Sequence, residues 1–110
     1  MQFKYANLAA DRLVEQWTPD QLEANIQTHI EADRLHGTLS EARTVEDAVP
    51  VWALIGYLEA AEGDIAAVAT AYDIDVATVE AAVGFYWLHR DEIRTRIVAN
   101  TDPQLVLVNS

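Results

Sequence analysis

Apolar residues recur at helical spacing through much of this chain, and the clearest case begins at Pro50. Val51, Leu54, Ile55 and Leu58 lie three or four residues apart, which predicts a helix with one buried stripe. Ala60 to Asp64 breaks it. Gly63 is the expected stop, and Asp64 the expected cap of a short helix from Ile65 to Tyr72. Asp73 to Asp75 turns the chain, and Asp75 is placed to cap a last helix running to Asn100. Val76, Val79, Val83 and Tyr86 form its expected inner stripe, and Pro103 ends any helix. Upstream, Thr18-Pro19-Asp20-Gln21 combines a side-chain acceptor, a proline suited to the first helical position and an acid at the positive helix end. That signal predicts a helix from Thr18 to about His36, stopped at Gly37. Gly37 to Asp47 is polar and reads as a connector.

Two segments alternate or run apolar over strand lengths. Gln2 to Tyr5 is expected to form a short strand, and Leu105-Val106-Leu107-Val108 a terminal one. A lone strand is not stable in water, so the terminal strand needs an edge. Gln2 to Tyr5 supplies one candidate, and the equivalent strand of a second copy supplies the other. The second would make the tail a dimerisation device and the protein a homodimer. The pattern as a whole predicts a mainly α fold: a helix-turn-helix three-helix core with an extra N-terminal helix and short terminal β-strands. It divides into residues 1–48 (strand, helix and connector), residues 49–100 (core) and residues 101–110 (strand tail).

Val68 to Ala82 has the spacing of a helix-turn-helix. Val68 and Tyr72 sit one turn apart with small Ala69 beside them, Asp73 occupies the turn, and Ile74 plugs the gap between helices. Val79 and Ala82 then line the second helix. Charge changes this picture. From Glu46 to His89 the chain carries eight carboxylates (Glu46, Asp47, Glu59, Glu62, Asp64, Asp73, Asp75 and Glu80) and no Lys or Arg. The net charge of the chain is −11, with Lys4 its one lysine. Such a surface repels phosphates and attracts cationic partners. General acidity, as in a salt-adapted proteome, gives the same balance with no partner implied.

At 110 residues the chain fits one domain, and its 51% apolar content is enough for a core. It has no cysteine, so disulfides and thiolate metal sites are excluded. The longest uncharged run of the core region, Ala48 to Leu58, is too short to span a bilayer, and the N-terminus lacks the apolar segment of a signal peptide. A cytoplasmic protein without membrane contact is therefore expected.

From Val49 to about Val98 the chain resembles the prokaryotic domain-of-unknown-function family 433, grouped with antitoxin-like, VapB-type helix-turn-helix proteins. The matching residues are Val49-Pro50-Val51-Trp52-Ala53-Leu54-Ile55, then Gly63-Asp64 with Val68-Ala69 and Tyr72. Val79, Ala81-Ala82-Val83 and Tyr86 follow, and finally His89-Arg90-Asp91-Glu92-Ile93 with Arg96-Ile97. The resemblance covers a little under half of the chain and rests mostly on structural positions. It implies an antitoxin-like fold, a protein toxin as partner, and permits DNA binding. The chain departs from the family upstream: the glycine-rich strand-forming segment is replaced by Ser40 to Ala48, which has no glycine.

Four constellations carry candidate chemistry. In a helix-turn-helix, exposed residues near the start of the second helix reach base edges, here Asp75, Ala77, Thr78, Glu80 and Ala81. None is an Arg, Lys, Asn or Gln, the usual base readers, so nucleic acid is not expected on this face. Arg90, Arg94 and Arg96 lie turns further along and offer another face, which a dimer would complete. Next, His29, Asp33 and His36 fall on one narrow stripe of a helix. Two imidazoles and a carboxylate at that spacing suit Zn²⁺ or Fe²⁺, and the plainer reading is the polar end of an amphipathic helix. Third, the run Phe85-Tyr86-Trp87, with Trp52 and Tyr57, reads either as a thick core covered by the helix from Thr18 or as an exposed patch that anchors a partner. Last, there is no Cys nucleophile, no Gly-x-Ser-x-Gly and no phosphate-cradling glycine loop. An enzyme is not expected, nor a cofactor.

The leading expectation is a non-enzymatic, antitoxin-like interaction domain. It would hold a cationic partner, such as a ribonuclease toxin, through Asp75, Glu80, Trp52, Trp87 and Phe85. A DNA-binding autoregulator using Arg90, Arg94 and Arg96 is the first alternative. A stand-alone dimeric scaffold and a metal-binding protein using His29, Asp33 and His36 are the others.

Overall fold

The computed structural model describes residues 3–32 and 39–101. Among them the chain is mainly helical, as the apolar pattern predicts. Its helices are α1 (Lys4–Gln16), α2 (Pro19–His29), α3 (Val51–Ala60), α4 (Ile65–Tyr72), α5 (Val76–Leu88) and α6 (Arg90–Thr101). A two-stranded antiparallel sheet pairs β1 (Ile30–Glu31) with β2 (Arg43–Thr44), in the register Ile30 to Thr44 and Glu31 to Arg43.

Local signals are realised where their partners are also local. Thr18 and Gln21 form a reciprocal capping box at the start of α2: the Thr18 hydroxyl accepts from the Gln21 amide, and the Gln21 side chain accepts from the Thr18 amide. The Asp64 carboxylate accepts from the Ala67 amide and caps α4. Gly63 takes the left-handed conformation at φ 84° in the turn after α3. Asp73 ends α4 in the same region at φ 54°, which a short polar side chain tolerates, and Ile74 then plugs the gap to α5.

Five expectations are corrected. The strand expected over Gln2 to Tyr5 is not found among its described residues: Phe3 sits at the N-terminal cap position of α1 and the helix begins at Lys4. Its apolar positions Ala6, Ala9, Ala10 and Leu13 form a helical stripe that is buried. The helix from Thr18 stops at His29 rather than near His36, since Ile30 turns extended and pairs with Thr44. The connector therefore contains β2, preceded by a 3₁₀ turn over Leu39–Glu41. The last helix is two: His89 leaves helical geometry at φ −133°, and α6 starts anew at Arg90. Val76, expected on the inner stripe, is exposed at the mouth of α5. Residues 102–110 lie outside the described residues, and with them the terminal strand and the dimerisation device built on it.

α5 is the axis of the fold. Thr78, Val79 and every residue from Ala81 to Tyr86 are buried, so the helix has no solvent face from Ala81 to Tyr86. α1 and α2 pack on it together with α3 and α4, while α6 rests on α3 and the 3₁₀ turn. Gly84 marks the closest approach: a methyl group there would lie 2.5 Å from Leu22 Cδ1 of α2. One continuous apolar cluster runs from Phe3 to Ile97 through all six helices. α1 and α2 are thus part of the same core as α3 to α6.

Candidate interaction surface

The burial of α5 decides what the α4–turn–α5 unit can present. Of the residues a groove-reading helix would expose, Thr78 and Ala81 are buried. Ala77 is half-buried, and its carbonyl accepts from the Asn25 side chain of α2 at 3.2 Å. The Thr78 hydroxyl lies 3.4 Å from His29 Nδ1, also on α2. α2 therefore covers the face that would enter a major groove. Only Asp75 and Val76 remain fully exposed at the start of α5. Asp75 stands at the cap position, yet its side chain makes no capping hydrogen bond.

The arginines of α6 are engaged within the fold. The Arg90 guanidinium stacks 4.5 Å over the Trp87 ring, and that of Arg94 lies 5.7 Å from the Phe3 ring centre. Arg96 pairs with Glu41 of the 3₁₀ turn. None of the three is fully exposed. The face expected to offer Arg90, Arg94 and Arg96 to phosphates is instead a set of internal braces. Arg94 also lies by the Tyr86 hydroxyl, which donates to Asn7 Oδ1 at 2.6 Å. Burial pushes the Tyr86 hydroxyl above the usual tyrosine range, and the positive charge of Arg94 offsets part of that rise.

The carboxylates behave differently. Glu46, Asp47, Glu62, Asp64, Asp73 and Asp75 are exposed. Glu59 is turned inward: its carboxylate accepts from the Tyr5 amide at 3.0 Å and the Ala6 amide at 3.3 Å, at the positive end of α1. Glu80 lines a cavity of about 260 Å³ between α1, the turn after α3 and α5, facing Arg12, Gln16, Asp64 and Tyr5. Loss of water there raises its carboxyl above the ordinary glutamate value.

None of the expected aromatic anchors Trp52, Phe85 and Trp87 is fully exposed. Phe85 is buried beneath α2 with 4% of its surface exposed, so the thick-core reading holds at that position. Trp52 and Trp87 are half-buried against the core. Asp75 and Phe85 lie ten residues apart along α5, or about 15 Å. They mark opposite ends of the helix. His29 is the one member of the expected metal stripe among the described residues, and its ring packs at the α2–α5 contact; Asp33 and His36 lie outside them.

A second concavity, of about 520 Å³, runs between α2 and the end of α5. Leu22, Ile26, Ile30, Phe85 and Leu88 line it, with Glu23 at its edge. Leu88 is 56% exposed, the most exposed large apolar side chain among the described residues. The sequence signal for this groove was the Leu22 and Ile26 stripe of α2. What hid it was the partner helix, since Leu88 reads locally as the tail of an amphipathic turn. No helix among the described residues is long and apolar enough to cross a membrane. No family model, curated protein or solved structure matches the chain.

Proposed function

We propose that this chain is a non-enzymatic cytoplasmic interaction domain that binds a cationic protein partner through its acidic surface. The observation that carries this reading is the unequal fate of the two signs of charge. Arg90, Arg94 and Arg96 are spent on Trp87, Phe3 and Glu41, while Asp73 and Asp75 at the α4–α5 turn are exposed. A surface of this kind steers a basic partner into encounter and disfavours nucleic acid. The resemblance of residues 49–98 to antitoxin-like proteins supplies the class of partner, a basic ribonuclease toxin, whose phosphate site an acidic domain would block. The covered face of α5 and the engaged arginines weigh against the DNA-binding alternative.

The test is affinity purification of the tagged chain from its own cells at moderate salt, with mass spectrometry of what is retained. A stoichiometric basic protein is expected, released by raised salt and lost on Asp73→Lys with Asp75→Lys. Recovery of the chain alone, together with retarded mobility of DNA at low salt, would reverse the reading.

A further inference from the structure

We infer that the cavity between α1, the turn after α3 and α5 binds an alkyl cation: an ammonium or guanidinium group carried on a short apolar stem. At about 260 Å³ it would hold roughly nine waters, at about 30 Å³ of liquid volume each, which is room for such a stem and its head. Leu8 and Leu13 of α1 and Ile65 of α4 supply an apolar wall, and Glu80 of α5 supplies a carboxylate. Glu80 is half-buried and makes no hydrogen bond or ion pair among the described residues. A carboxylate stripped of water and without a partner is stabilised by a cation that reaches it.

The rest of the lining is acidic in balance. Glu62 and Asp64 stand exposed at the turn, and Arg12 is the one cation among the described residues of the lining. Arg12 is exposed and makes no ion pair among the described residues, so it leaves Glu80 open. The cavity is also fixed in shape. Glu59 ties α3 to the first amides of α1, and a methyl group on Gly63 would lie 3.2 Å from the Tyr5 carbonyl oxygen, so turn and helix are already seated on each other. A bare ion gains nothing from the wall, whereas an alkyl stem covers Leu8, Leu13 and Ile65 while its head meets Glu80. Two sources offer this one group: a free aliphatic amine, and a Lys or Arg side chain of the basic partner. The second source rests on the proposed reading.

The probe is butylguanidinium, compared with bare guanidinium and with neutral hexanamide. Binding is read from amide shifts of the ¹⁵N-labelled chain and from the carboxyl shift of Glu80. Butylguanidinium is expected to bind about tenfold tighter than either control, with shifts centred on Leu8, Leu13, Ile65 and Glu80. Glu80→Gln keeps the shape, removes the charge and is expected to lose that preference. Arg12→Gln removes a repelling charge and is expected to strengthen binding severalfold, with circular dichroism to confirm the fold of each variant. Affinity should fall as pH drops through the raised titration range of Glu80, whose protonated carboxyl attracts no cation. The other titratable or charged groups facing it are Tyr5, Arg12, Glu62 and Asp64. Equal binding of the three probes, or an unchanged preference in Glu80→Gln, would overturn the assignment. Weaker binding in Arg12→Gln would overturn it too, and make the cavity an anion site. A capped Gly-Gly-Arg-Gly-Gly peptide separates the sources. Binding at the same residues points to a polypeptide side chain, and binding of butylguanidinium alone points to a free amine. The acidic-surface reading is tested at Asp73 and Asp75, neither of which lines the cavity, so each can fail without the other.

Discussion

Glu80 shows how one neighbour changes the meaning of a residue. In the sequence it stands near the start of a second helix, where a carboxylate reads as exposed. In the fold α1 lies across it and strips water from its carboxyl, which raises the pKa. The native state then holds the Glu80 proton to a higher pH than the unfolded chain does. Unfolding free energy therefore falls as pH rises through the window just above the ordinary glutamate value, and the loss persists at neutral pH. Glu80→Gln removes this penalty. Urea titrations should find the variant gaining stability over the parent chain at neutral pH, with the gap closing below the ordinary glutamate value. An unchanged difference across that window would show that Glu80 is solvated. Tyr86 is legible from the sequence as a buried stripe residue, but its bond to Asn7 is not, because the two are brought together from opposite ends of the chain.

The same division between near and distant causes governs whole elements. α2 and α4 begin where their sequence says they begin, since Thr18, Gln21 and Asp64 carry their own caps. α1 has no such signal: Phe3 offers no side-chain cap, and its first turn contains no acid. Its cap arrives from α3 as the Glu59 carboxylate. Replacing Glu59 with Ala should cost about 1 kcal/mol, the usual worth of a helix cap, seen as a lower urea midpoint with unchanged slope. Local loss of hydrogen-exchange protection at the start of α1 would accompany it, and protection spread evenly over the chain would argue against a capping role. The end of α2 and the break at His89 escaped sequence reasoning for a related reason. Ile30 leaves the helix to pair with Thr44, and no pattern within α2 announces that strand. The periodicity of α5 continues into α6 without a proline or glycine to mark the junction, so the spacing alone describes one helix.

At the scale of the molecule, charge and core pull in opposite directions. A net charge of −11 on a small domain is self-repulsive, and the arginines that offset it are concentrated in α6. Screening should relieve that repulsion, because the Debye length shortens to about 10 Å at 0.1 M salt. Melting temperature is expected to climb by several degrees from low salt to moderate NaCl. A falling melting temperature would mean that the Arg96–Glu41 pair and its like outweigh the repulsion. The helical class and most of α3 to α5 could be read from apolar spacing. The wrapping of α5 could not, since spacing along one segment says nothing about how many neighbours share it. That wrapping leaves the chain unequal room to vary. Around Ala81, Ala82 and Gly84 a larger side chain must be matched by a smaller one on α1, α2 or α3, so change there has to come in compensating pairs. At the exposed Asp75, whose side chain makes no capping bond, a single replacement meets little besides water, and new specificities can arise one substitution at a time.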